Sequence, residues 1–181
     1  MLLTFLFVTN LINAQVKATE VKKSSDPLDI SAEMEQITKY GTPTLTSVDE
    51  LEQKAETLYT TLNWKDAITA LEDYAENANR LANLLSQCIE PYNSASYSEK
   101  EKMAFSALKY YSAFIDKSND YKQGRNRAYV KIGICYKNLG DLKKATAYLY
   151  KALDLLPLSD FEYSKISRNA LAEIIQFTPP K

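Results

Sequence analysis

The chain has 181 residues, enough for one helical domain with a packed core and a terminal extension. Four glycines against 45% hydrophobic residues favour long helices over turn-rich β structure. A net charge of −1 excludes the strongly basic footprint of a nucleic-acid binder, and the absence of histidine removes the commonest acid–base group and metal ligand.

Residues 1–14, MLLTFLFVTNLINA, carry no charged side chain. The apolar run at 2–8 and the small-residue end at Ala14 predict a short secretory signal peptide, although no Lys or Arg stands near the start. The run is far shorter than the ~20 residues that span a bilayer. The mature chain is therefore expected without an integral membrane span, in a periplasm or cell envelope. An uncleaved N-terminus would place it in the cytoplasm. Residues 15–46 read as a flexible polar leader with one weak helical turn at 31–38.

Ser47 and Glu50 have capping-box spacing and open the folded part, residues 47–177. Leu51, Ala55, Leu58 and Leu62 mark a first helix. Trp64, Ala67, Ile68, Leu71 and Ala75 mark a second, running on to about Cys88. Residues 91–96 read as a loop. Ser98 and Glu101 suggest another capping box, opening a helix at 98–118 with Met103, Ala107, Leu108, Tyr111, Phe114 and Ile115. The polar run 119–124, ending in Gly124, predicts a turn.

The strongest signal covers 126–159. Tyr129, Ile132, Gly133 and Tyr136 form one helical stripe. Gly140 suits a left-handed helix end, and Asp141 suits the next N-cap. Leu142, Ala145, Leu149, Ala152 and Leu153 form the returning stripe, which Pro157 stops. Gly133, Ala145 and Ala152 predict a close helix crossing. Ser159 and Glu162 suggest a third capping box before a final helix at 160–176. There Tyr163, Ile166, Ala170 and Ile174 form a stripe, while Lys165, Arg168, Glu173 and Gln176 keep the remaining surface wet.

Tyr129-x2-Ile132-Gly133-x2-Tyr136, then Ala145-x3-Leu149, then Ala152 and Pro157 resembles a tetratricopeptide repeat, with Tyr for Trp, Ile for Leu and Leu for Phe. Residues 47–90 resemble a weaker copy with an overlong second helix. The resemblance implies an all-α fold: a short right-handed solenoid of antiparallel helix pairs, about six helices in all, closed by a C-terminal capping helix. It implies a non-catalytic protein-interaction scaffold whose concave groove binds a peptide or partner protein. Carried onto this sequence, the groove residues are Arg127, Val130, Ile134, Lys137 and Asn138 in the strong repeat. In the weak repeat they are Asp49, Glu52, Glu56, Tyr59 and Thr60. The groove would be acidic at one end, basic and apolar at the other. Val130, Ile134, Glu52 and Glu56 stand where carboxylate-clamping repeats carry Lys and Asn, so no such clamp is expected.

No phosphate loop and no nucleophile–base pair is present, and no cofactor or metal is expected. Cys88 and Cys135 form no CxxC pair and are expected as buried free thiols, a disulfide remaining open if the chain is exported. Tyr110, Tyr111, Tyr129, Tyr136, Tyr148 and Tyr150 are expected mostly in the core. Two further roles stay open: a sensory or regulatory input domain working with a separate kinase or transcription factor, and a cytoplasmic adaptor. Self-association is also compatible with the sequence.

Overall fold

A computed structural model describes residues 29–178, so the signal-peptide expectation lies outside the described residues. Among these the chain is all-helical, with no strand and no helix long and apolar enough to cross a membrane. Six helices have ten residues or more, the expected number, and a seventh has five. The chain divides after Thr42 into two units.

The first unit contributes α1, Ser31–Tyr40. The expected weak turn is thus a ten-residue helix. Asp29 accepts hydrogen bonds from the amide and hydroxyl of Ser31 at its start, and Gly41 ends it at φ 70.

The second unit holds α2 (Leu45–Thr60), α3 (Trp64–Gln87), α4 (Tyr97–Glu101), α5 (Phe105–Asn138), α6 (Leu142–Leu155) and α7 (Phe161–Ile174). Helix α3 packs between α2 and α5, and α5 also packs on α6 and α7. Five of the nine buried residues of α3 are alanines: Ala67, Ala70, Ala75, Ala78 and Ala82. Side chains this small let α2 and α5 approach α3 closely.

The 128–157 hairpin forms as its spacing predicts. Ile132, Gly133, Ala145, Leu149 and Ala152 are buried. A Cβ on Gly133 would lie 2.6 Å from Cγ of Leu149 and 3.3 Å from the carbonyl oxygen of Ala145, so only glycine fits the crossing. Gly140 ends α5 at φ 81, and Asp141 caps α6 by accepting the Lys144 amide at 3.1 Å.

The helix starts differ from the expected capping boxes. Thr44, not Ser47, caps α2, and Ser47 is its reciprocal partner three residues on. Ser96 and Glu99 form the box at α4. In each segment the hydroxyl residue that caps the helix, Thr44 or Ser96, is the one with extended backbone. At α7 the N-cap is Asp160, with no side-chain bond to its own helix.

The largest departure is α5, which runs unbroken for 34 residues through the turn expected at 119–124. The polar residues there bind neighbouring elements instead of bending the chain. Ser118 donates to the Ala82 carbonyl at 2.9 Å, and Tyr121 donates to Asp49 at 3.0 Å. Gln123 donates to Asp160 at 3.1 Å, Arg125 binds Asn79, and Asn126 donates to the Leu155 carbonyl at 2.7 Å. Gly124 is required by a close approach: a Cβ there would lie 2.1 Å from the Tyr74 hydroxyl.

Tyrosines and cysteines divide by position. Tyr129, Tyr136 and Tyr148 pack on the core, whereas Tyr110 and Tyr150 are exposed. Tyr111 is half-buried and stacks on Tyr92, centroids 4.9 Å apart. Cys135 is buried but Cys88 is exposed at the end of α3, and both thiols are free.

Candidate interaction face on α2, α5 and α7

Helices α2 and α5 run in the same direction over their shared length. Asp49 meets Tyr121 near the start of α2, and Glu56 pairs with Lys131 about two turns further along α2 and nearly three along α5. Helix α7 follows α5 in the same sense, through Arg127–Asp160 at 2.7 Å and Lys137–Glu173. The three helices bring their side chains into one row.

Lys131 is the centre of that row. Its ammonium lies 5.7 Å from the Tyr59 ring centroid on α2 and 5.7 Å from that of Tyr163 on α7, while it pairs with Glu56. Arg127 lies over the other side of the same surface, 5.1 Å from the Tyr163 ring, with its Nε on Asp160. Asp160 is 5% exposed, and its carboxylate is satisfied by Arg127 and Gln123 together.

Burial pushes up the hydroxyl pKa values along the α2 side. Tyr74 is raised by burial and by the Glu52 carboxylate that its hydroxyl meets. Tyr121 is raised by burial and by its bond to Asp49. Tyr59 is raised by burial and by its neighbours Cys135, Tyr163 and Glu56. The hydroxyls therefore stay protonated, and those of Tyr74 and Tyr121 donate to the Glu52 and Asp49 carboxylates.

Not every groove residue expected from the sequence lies on this face. Glu56, Tyr59 and Arg127 do, and Asn138 is exposed at the end of α5. Val130 does not: it is 1% exposed, in an apolar cluster with Leu149, Ala152 and Ala170. Ile134 is half-buried against the same cluster. Helix α7 covers both, because the i, i+4 stripe next to the crossing stripe is the one a following helix packs on. Lys137 is drawn to Glu173 on α7, and Glu52 to Tyr74. The expected charge separation is also replaced, since Glu56 pairs with Lys131 and Arg127 with Asp160.

Sequence reasoning missed Lys131, Tyr163 and Asp160 as members of the face. One signal was available for Lys131: it is a cation between buried Val130 and Ile132, opposite an acidic first helix. Among the described residues no group of three His, Cys, Asp or Glu could hold a metal. Compared with known proteins, the chain matches no family model, no curated protein and no solved structure.

Proposed function

We propose that the chain is a non-catalytic scaffold of tetratricopeptide-like helix pairs that binds a partner protein or peptide along α2, α5 and α7. The observation that carries this reading is the row Glu56, Tyr59, Lys131, Tyr163 and Arg127, in which three helices present aromatic rings and charged groups on one side. Aromatic and arginine side chains are the types that anchor protein interfaces. Two features favour the repeat-like part of the reading. The successive first helices run in the same direction, and the same turn recurs at the ends of α2 and α5.

The test is affinity capture from the source cells with the parent chain and with a Tyr59→Ser/Tyr163→Ser variant, which removes the two rings of the row. Both rings are half-buried, so the variant must first show the parent's helical circular-dichroism spectrum. One protein captured by the parent and lost by the variant is the expected result. Equal capture by both overturns the location, and no specific capture overturns the scaffold reading. Export, proposed from residues 1–14, is checked separately: native protein beginning at Gln15 supports it, and an intact Met1 opposes it.

A further inference from the structure

Tyr129 precedes Lys131 by two residues on α5, so the two side chains leave the helix on roughly opposite sides. On the Tyr129 side lies a cleft of about 520 Å³ between α3, α5 and α6. Its wall on α3 is Glu72, Glu76 and Asn79, and its floor is Ala75, only 1% exposed. The opposite wall is Tyr129, Tyr148 and Lys151.

The chemistry of these walls is specific. Tyr148 donates to Glu72 at 2.7 Å, which holds that carboxylate beside the ring. The Tyr148 ring lies 6.0 Å from Tyr129 and 5.7 Å from Tyr136, forming an aromatic cluster. Ammonium groups already sit on its faces: Lys151 lies 4.5 Å from the Tyr129 centroid and Lys144 lies 5.0 Å from that of Tyr136. Glu76, one turn from Glu72, makes no ion pair or hydrogen bond among the described residues. The nearby cation Arg125 is engaged by Asn79 and Asn126.

We propose that this cleft binds an organic cation, an alkylammonium or guanidinium group, between the Tyr129 and Tyr148 rings and the Glu72 and Glu76 carboxylates. The ring faces attract the cation through their quadrupoles. The carboxylates accept charge-assisted hydrogen bonds, which a planar guanidinium donates in pairs. Lys151 holds the place when the cleft is empty. It is an exposed lysine on a four-carbon stem, so a guest displaces it by simple rotation. The site shares no side chain with the α2–α5–α7 face and stands or falls independently of it.

The test follows the tyrosine ring resonances of the whole chain by NMR during titration. The probes are spermidine and the peptide acetyl-Gly-Arg-Gly-amide, with the uncharged citrulline peptide as control. Saturable shifts of Tyr129 and Tyr148 with the cations but not with citrulline are expected. Lys151→Met tightens binding by about three- to tenfold and Glu76→Gln weakens it by a similar factor. Both positions are exposed, so neither variant disturbs the core. Tighter binding of the peptide assigns the site to a partner's side chain, and tighter binding of spermidine assigns it to a free polyamine. The proposal is overturned by absence of saturation, by equal binding of the citrulline peptide, or by unchanged affinity in Glu76→Gln.

Discussion

Leu62 occupies, after α2, the place that Gly140 occupies after α5. Both have positive φ, 60 and 81. In both turns the following amide reaches back to a carbonyl five residues earlier, Asn63 to Leu58 at 3.1 Å and Asp141 to Tyr136 at 3.0 Å. Glycine adopts this conformation freely, whereas a side-chain residue there costs about 1–2 kcal/mol. Leu62 is 62% exposed, so its side chain returns little packing. Leu62→Gly is expected to raise stability by about 0.5–1 kcal/mol, after the entropy cost of glycine. Gly140→Leu is expected to lower it by about 1–2 kcal/mol. Urea denaturation midpoints check both, and a loss of stability in Leu62→Gly would show that the leucine's contacts outweigh its backbone strain.

Gly124 and Tyr74 form the second coupled pair. Gly124→Ala sets a methyl against a buried hydroxyl and is expected to cost about 1–3 kcal/mol, as overpacking does. Tyr74→Phe removes the atom at 2.1 Å and leaves the nearest ring carbon at 3.3 Å. The double variant is therefore expected to be more stable than the sum of the two single effects predicts. Additive costs in the double-mutant cycle would show that Gly124 is needed for another reason.

Arg127 and Asp160 form an asymmetric ion pair, with side chains 41% and 4% exposed. Arg127→Leu leaves a buried carboxylate with only Gln123, and is expected to destabilise the chain by about 1–3 kcal/mol. Asp160→Asn keeps an acceptor oxygen and should cost less. Chemical denaturation of the two variants decides this, and the reverse order would refute the burial argument.

Alkaline pH should unfold the chain. Burial pushes the Cys135 thiol up to about 11, from an ordinary value of 9.0. The unfolded chain then loses this proton first, so stability is intact below pH ~9 and falls as pH rises towards ~11. Tyr59, Tyr74, Tyr121 and Tyr148, all raised above their ordinary value of 10.0, change stability with the same sign above about pH 10. A pH titration of tyrosine absorbance should show a late phase that coincides with loss of helical circular dichroism. At pH 8 a thiol reagent should modify exposed Cys88 and spare Cys135 until the chain unfolds. Modification of both thiols in the folded chain would contradict the burial of Cys135.

The hairpin at 128–157 was legible because its determinants are local. Gly133, Ala145 and Ala152 set the crossing, and Gly140 and Asp141 set the turn. The continuity of α5 was not legible. Ser118, Gln123, Gly124 and Asn126 have turn chemistry, and only partners distant in sequence reveal that they point outward from one helix. Only some of the expected groove residues lie beside Lys131, for a related reason. Spacing identifies the stripe that carries Val130 and Ile134, but it does not say that α7 covers it. Lys131 became visible only when Tyr59 and Tyr163 were seen on either side of it.

The uninterrupted α5 also governs how the second unit comes apart. At 1.5 Å per residue its 34 residues form a rod about 50 Å long. Arrays of short helix pairs fray from their ends, because each pair touches only its neighbours. Here one rod packs on α3 of the α2–α3 pair and is itself the first helix of the α5–α6 pair, and its middle is bonded to α2, α3, the end of α6 and the start of α7. Melting that middle would release all four attachments together, so the unit is expected to unfold in a single cooperative event. A torque applied at one end of the rod reaches the other without a hinge to absorb it.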